Sequence, residues 1–260
     1  MAVTARPDGF VGVFDSGVGG ISVLRSLVAE LPHEDFEFFG DSANAPYGEK
    51  TAPEVLGLSR SIVEDFVAEG AKCIVIACNT ATSAAAQTLR AEYGELPIVG
   101  VEPALKPATL APRHGRILVM ATPMTLRLDK FHKLAERWGS DSEVIGVPCV
   151  GLASRIEQGN LEADDLYELL EDLVGEYRGT VDSVVLGCTH YPFVRRQIKR
   201  VLGDVQLFDG AEGTARRTRS LLEAGGLLRD ESHEGTVSFR SSKQGAEEMR
   251  LYHDLYELDF

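Results

Sequence analysis

The chain has 260 residues, enough for one large domain or two of average size, and its 44% hydrophobic and 25% charged residues are ordinary for a soluble globular protein. With 26 basic and 40 acidic residues the net charge is −14. That balance argues against nucleic acid or an anionic membrane surface as a partner, and it means that an acidic substrate needs a locally favourable pocket.

No apolar run approaches the roughly 20 residues that span a bilayer. Residues Met1 to Phe10 lack the basic-then-apolar pattern of a secretory signal. The four cysteines, Cys73, Cys78, Cys149 and Cys188, follow no disulfide framework. Reduced thiols in the cytoplasm are the expectation.

In chain order, Gly12-Val13-Phe14 predicts a strand that runs into the turn Asp15-Ser16-Gly17-Val18-Gly19-Gly20 and an amphipathic helix over Ile21 to Leu31. The turn has two readings. Backbone N–H groups at a helix start attract anions, yet the spacing is neither GxGxxG nor a P-loop, and a tight strand-to-helix turn with Ser16 as cap also accounts for it. Phe36 to Gly40 predicts a second strand, followed by the loop Asp41 to Gly48. Within it Pro46-Tyr47-Gly48 is a turn signal, with Tyr47 either packing or offering its hydroxyl to a ligand. A helix from about Pro53 to Glu69, a strand Cys73–Ala77, a helix from about Thr82 to Glu92 and a short strand Pro97–Gly100 follow.

The alternation then restarts. Ile117 to Met120 is a strand ending at Ala121-Thr122-Pro123, and a helix reaches about Trp138. Val144 to Val147, a long helix over Leu161 to Tyr177, and the strand ending at Cys188 complete the series. Cys188 lies 110 residues beyond Cys78, Gln197 and Arg200 repeat Gln87 and Arg90, and Ile117–Thr122 stands about 106 residues beyond Gly12–Ser16. One β/α unit has been duplicated. Beyond Leu207 the chain offers a helix at about Gly213 to Gly225, a possible strand at Thr236 to Phe239 and an acidic mixed tail, too little for a third domain. The expected fold is α/β, with two similar open parallel-sheet domains facing a central cleft: residues 1–100 plus 207–260, and residues 101–206.

The two halves share one chemical feature. Ile74–Ala77 and Val184–Gly187 are β-branched apolar runs that each end in a thiol, followed by Asn79-Thr80 in one case and Thr189-His190 in the other. Strand ends are where open α/β sheets gather their chemistry, and helix N-termini favour thiolates. Opposed thiols suit proton removal from one face of a carbon and delivery to the other. Cys73 and Cys149 lack this setting and are expected to be structural. Cys188-Thr189-His190 lacks the ligand spacing of a zinc site, while His190 suits general-base assistance. A Cys–His hydrolase would leave the second thiol unexplained. No metal, nicotinamide or pyridoxal motif is present.

Asp15 to Gly20, Phe39-Gly40-Asp41-Ser42 with Pro46-Tyr47-Gly48, Cys78-Asn79-Thr80-Ala81 and Leu186-Gly187-Cys188-Thr189-His190-Tyr191-Pro192, in that order, closely resemble the glutamate racemase group of cofactor-independent aspartate/glutamate racemases. The resemblance spans about Gly12 to Phe193 and implies that Cys78 and Cys188 are the acid/base thiols, with Asp15 assisting the first and His190 the second. It implies that Asp15, Ser16, Pro46, Tyr47, Gly48, Asn79, Thr80, Thr189 and His190 hold the substrate. Glu157 corresponds to a carboxylate near the second thiol, although the Cys-Pro-rich run usual before it is here Cys149-Val150-Gly151-Leu152-Ala153-Ser154. It further implies glutamate as substrate with aspartate as the alternative, no cofactor and no metal, D-glutamate supply for peptidoglycan, a cytoplasmic location and a homodimer. A regulator that binds a protein such as DNA gyrase on the same scaffold is the reading from another class.

Overall fold

β-Branched runs buried on both faces become the inner strands of two parallel sheets. The computed structural model describes residues 5–139 and 141–260, so the first four positions of the N-terminal segment lie outside the described residues. In chain order the first half comprises β1 (Val11–Asp15), α1 (Ile21–Glu30), β2 (Phe36–Gly40), α2 (Ala52–Glu69), β3 (Cys73–Ile76), α3 (Asn79–Tyr93) and β4 (Ile98–Gly100). The second continues with α4 (Leu105–Thr109), β5 (Arg116–Ala121), α5 (Pro123–Arg127), α6 (Asp129–Trp138), β6 (Glu143–Pro148), α7 (Leu152–Ile156), α8 (Asp164–Val174), β7 (Ser183–Gly187), α9 (Arg195–Leu202) and β8 (Gln206–Phe208). A tail adds α10 (Ala211–Ala224), β9 (Val237–Ser241) and α11 (Ala246–Glu257).

The first sheet has the order β4-β3-β1-β2-β9; the second, taken from its β8 edge, has β8-β7-β5-β6. Every pairing is parallel. The four-strand order is therefore the same in both halves, and the duplication seen in the spacing is present in the topology. In each half the chain reverses its direction of travel across the sheet between the first and third strands of the repeat. Those switch points, at the carboxyl ends of β1/β3 and β5/β7, are where an open α/β sheet leaves a crevice. β1, β3 and β7 are buried throughout. Val13 and Phe38 of one sheet and Leu118 and Leu186 of the other join one continuous apolar core.

Several boundaries differ from the sequence reading, each for a local reason. Helix α3 begins at Asn79 rather than near Thr82. Its first turn, Asn79-Thr80-Ala81-Thr82, has no apolar period to announce it, yet Thr82 N–H donates to the Cys78 carbonyl at 2.8 Å. The helix expected to reach Trp138 is broken at Leu128, whose ψ of 140° is extended, into α5 and α6. The long helix over Leu161–Tyr177 is α8, Asp164–Val174, followed by one 3₁₀ turn. Short α4, α7 and β8 carry too few residues for a period, and β8 takes the second sheet as far as Phe208. The strand expected at Thr236–Phe239 forms at Val237–Ser241 and pairs with β2. The acidic tail becomes α11, which buries Tyr252 and Leu255. Among the described residues no helix is long and apolar enough to cross a membrane.

Candidate active site

Cys78 follows β3 in extended conformation (φ −128°, ψ 120°) and caps α3, its sulfur accepting the Ala81 N–H at 3.5 Å. Cys188 follows β7 at the matching switch point, and a 3₁₀ turn over Tyr191–Val194 precedes α9. Both thiols wall one cavity of about 20 Å³ and are only 5% and 7% exposed. Ser16 follows β1 there, Asn79 and Thr80 open α3, and Thr189 and His190 follow Cys188. Pro46, Tyr47 and Gly48 approach on the loop after β2. Asp15 and Glu157 do not line the cavity; they lie behind it, each against one thiol's neighbours. Thr122, Ala153 and Gly187 complete the wall without having been singled out. Thr122 had a signal: it stands in the second half where Ser16 stands in the first.

On the Cys78 side, the thiol donates to Ser16 Oγ at 3.8 Å. Asp15 is fully buried; its Oδ2 accepts the Gly20 N–H at 2.6 Å and, from the other half, the Thr189 hydroxyl at 3.1 Å. Burial lifts the Asp15 carboxyl above the usual range, against the pull of His190 and of its hydrogen bonds. Burial, joined by the charge of Asp15, pushes Cys78 well above an ordinary thiol and outweighs the Ala81 N–H. Burial therefore disfavours a thiolate at Cys78.

The Cys188 side is built the other way. His190 Nδ1 lies 3.6 Å from Cys188 Sγ, and Nε2 lies 2.6 Å from Glu157 Oε1. Burial disfavours an imidazolium here, but hydrogen bonding and charge from Cys188 and Glu157 outweigh it and raise His190 well above its ordinary pKa. Glu157 Oε1 also accepts the Val18 N–H at 2.9 Å. The glycine turn after β1 thus binds an anion, and the anion is the protein's own carboxylate. The carboxylate behind each thiol is tied to the opposite half, Asp15 by Thr189 and Glu157 by Val18. Ser22 Oγ, 2.8 Å from the Gly19 carbonyl and 2.9 Å from that of Thr189, adds a third tie.

Glu157→Gln removes one of the charges that raise His190, so the imidazolium should persist over a narrower range and the alkaline limb of the pH–rate profile should move to lower pH. A raised imidazole pKa stabilises the fold fully below the unfolded value near 6.5 and loses that contribution as pH rises through the folded value. The variant's loss of stability, read by denaturant unfolding, should therefore be larger in mildly acidic than in alkaline buffer.

Most of the remaining polar groups are already paired. Thr80 Oγ1 lies 3.0 Å from Thr122 Oγ1, and Thr122 donates to Thr125 at 3.0 Å, a hydroxyl chain crossing between the halves. The Tyr47 hydroxyl donates to Asp41 at 2.6 Å, so the ring walls the site while its proton is committed. Asn79 Oδ1 is buried without a hydrogen-bond partner, an acceptor suited to an ammonium group. Cys73 lies within β3, where burial pushes its pKa up to about 12; burial and the neighbouring Cys188 do the same for Cys149. Cys73→Ala should leave kcat within about twofold of the parent, since a buried neutral thiol in a strand is inert. A steady-state assay checks this. Among the described residues no group of three or more His, Cys, Asp or Glu could hold a metal ion.

The chain is similar to known proteins over nearly its whole length. Residues 11–218 match the family model described as Asp/Glu/Hydantoin racemase. The glutamate racemase of Clostridium acetobutylicum is 43% identical over 259 residues, covering 99% of this chain and 100% of its own. The solved structure of glutamate racemase from Thermus thermophilus, in complex with β-chloro-D-alanine, superposes with a TM-score of 0.80 at 32% identity, covering 96% of this chain and 94% of that one. That from Francisella tularensis, in complex with D-glutamate, gives 0.83 at 25% identity over 96% and 94%. Two thiols at the switch points of a duplicated sheet, with sequence identity running the length of the chain, lead to one assignment: this chain belongs to the Asp/Glu/hydantoin racemase family.

Proposed function

We propose that the chain interconverts L- and D-glutamate by a two-thiol, cofactor-free mechanism. The observation that carries this reading is the single cavity walled from opposite halves by Cys78 and Cys188. In one direction the Cys188 thiolate takes the α-proton: the Cα–H bond breaks, S–H forms, and the electron pair passes from Cα into the carboxylate. Cys78 then gives its proton to the other face, leaving its own thiolate and an inverted Cα–H. The opposite enantiomer uses the thiols in reverse.

The electrostatics support these roles. Burial keeps Cys78 protonated and ready to donate, while an imidazolium at His190 offers a donor to a thiolate at Cys188. Among the described residues neither Lys nor Arg lines the cavity. Backbone N–H groups at the start of α3 and the Ser16 hydroxyl hold the substrate carboxylates, favoured by the helix dipole, and Thr80 joins them by exchanging its bond to Thr122 for one to the substrate. Asn79 Oδ1 accepts from the ammonium group. A cavity of about 20 Å³ has room for roughly one water, so glutamate enters as the halves part, and closure excludes the water that would blunt a thiolate. Four free, buried cysteines support a reducing cytoplasmic location, where D-glutamate would feed peptidoglycan. The homodimer belongs to the same proposal and is read by light scattering.

The test is incubation with L-glutamate or L-aspartate in D2O after dialysis against a chelator, following optical rotation and deuterium at Cα. Racemisation of glutamate supports the reading. Turnover of aspartate alone corrects the substrate, loss of activity restored by a metal or pyridoxal phosphate refutes the cofactor-free mechanism, and silence with both refutes the activity.

A further inference from the structure

The tail of the chain has no part in the chemistry above, yet its last helix reaches the loop that walls the cavity. Tyr252 of α11 is fully buried, with its ring edge-on to Phe38 at 5.7 Å. Its hydroxyl donates to Ser241 Oγ at 3.1 Å and lies 2.8 Å from Ser42 Oγ, which fills its acceptor side. Gly40, the last residue of β2, makes room for it: a Cβ there would overlap the Tyr252 hydroxyl.

Ser42 opens the turn that carries the substrate loop. Ser242, beyond β9, holds the same turn by accepting the Ala43 N–H at 3.0 Å. Asp41, the residue before Ser42, accepts the Tyr47 hydroxyl at 2.6 Å and the Asn44 amide at 2.9 Å, and its own N–H donates to the Asp15 carbonyl at 2.9 Å. An unbroken run of contacts therefore leads from α11 through Ser42 and Asp41 to Tyr47 on the cavity wall. Packing alone needs only the Tyr252 ring. A buried hydroxyl costs free energy unless it is paired, and this one is paired to the base of the loop.

We propose that Tyr252 is a positioning residue, its hydroxyl holding the Asp41–Gly48 loop in the conformation that binds substrate. This rests on the glutamate racemase reading. Tyr252→Phe keeps the ring and removes the hydroxyl. KM for both enantiomers should rise about threefold to tenfold, the value of one hydrogen bond, while kcat stays within about twofold, as when uniform binding is lost.

Ser42→Ala, at a half-buried turn position, should shift KM the same way, and the double variant should do no worse than the worse single, since both cut the same contact. Unchanged KM in both variants overturns the proposal, as does a fall in thermal midpoint with unaltered kinetics. Should Tyr252→Phe fail to fold, Ser42→Ala decides alone, an unaltered KM refuting the role. Absence of glutamate turnover in the parent chain would overturn the function and the positioning role together. Parent turnover with unaltered variants overturns only the latter.

Discussion

Cys78→Ala and Cys188→Ala are each expected to lower kcat for glutamate racemisation by about 100- to 10,000-fold, the range that a positioned acid or base supplies. The two should not fail in the same way. With Cys78 gone, Cys188 can still remove a proton from the enantiomer that presents its Cα–H to that side, but the carbanion is reprotonated only from the same face. In D2O that enantiomer should slowly gain deuterium with retention, and its mirror image should not. Cys188→Ala should show the opposite preference. NMR of Cα deuterium beside optical rotation separates the cases, and substantial racemisation by either variant would sink the two-thiol mechanism. Both side chains are small and nearly sealed, so the folded state should tolerate alanine.

The second large effect concerns a residue with no side chain. A Cβ on Gly19 would overlap His190 Nδ1 and come within 2.6 Å of Thr189 Oγ1. Neither neighbour can yield freely: His190 is held between Cys188 and Glu157, and Thr189 is bonded to Asp15. Gly19→Ala must push the Thr189-His190 segment away from the first half, and a displacement near 1 Å costs about 100-fold in rate. We expect a folded protein by circular dichroism with kcat reduced to that extent. Gly57→Ala is the control. It lies in α2 with nothing within 4 Å of the added Cβ, so activity should be unchanged and stability should rise by up to about 1 kcal/mol from helix propensity. Full activity in Gly19→Ala would show that the two halves do not need to meet this closely.

Both thiols were legible before any coordinates, because a strand buried on both faces is an unbroken β-branched run and its end is visible. The repeat made them a pair. Thr122 was legible in principle by the same offset, but a single threonine after an apolar run carries no chemistry by itself. Helix α11 was not legible: its inward face relies on a few residues such as Tyr252 and Leu255 among acidic neighbours, and so short an apolar stripe is lost in a charged stretch. The glycine turn shows the limit differently. Its sequence left both an anion site and a plain turn open, and the carboxylate that Val18 meets, Glu157, sits 139 residues away.

By itself the sequence determined the parallel α/β class, the duplicated unit and the two matched thiols, because apolar period, turn residues and repeat spacing are properties of neighbours along the chain. Tertiary structure alone decided that each thiol's carboxylate is held by the opposite half, Asp15 by Thr189 and Glu157 by Val18. It also decided that burial raises the Cys78 thiol while Cys188 and Glu157 raise His190, and that Tyr252 of the tail lies against Ser42 after β2. Burial and Coulomb interaction depend on distance in space, and residues more than a hundred positions apart acquire that distance only when the two sheets close on each other.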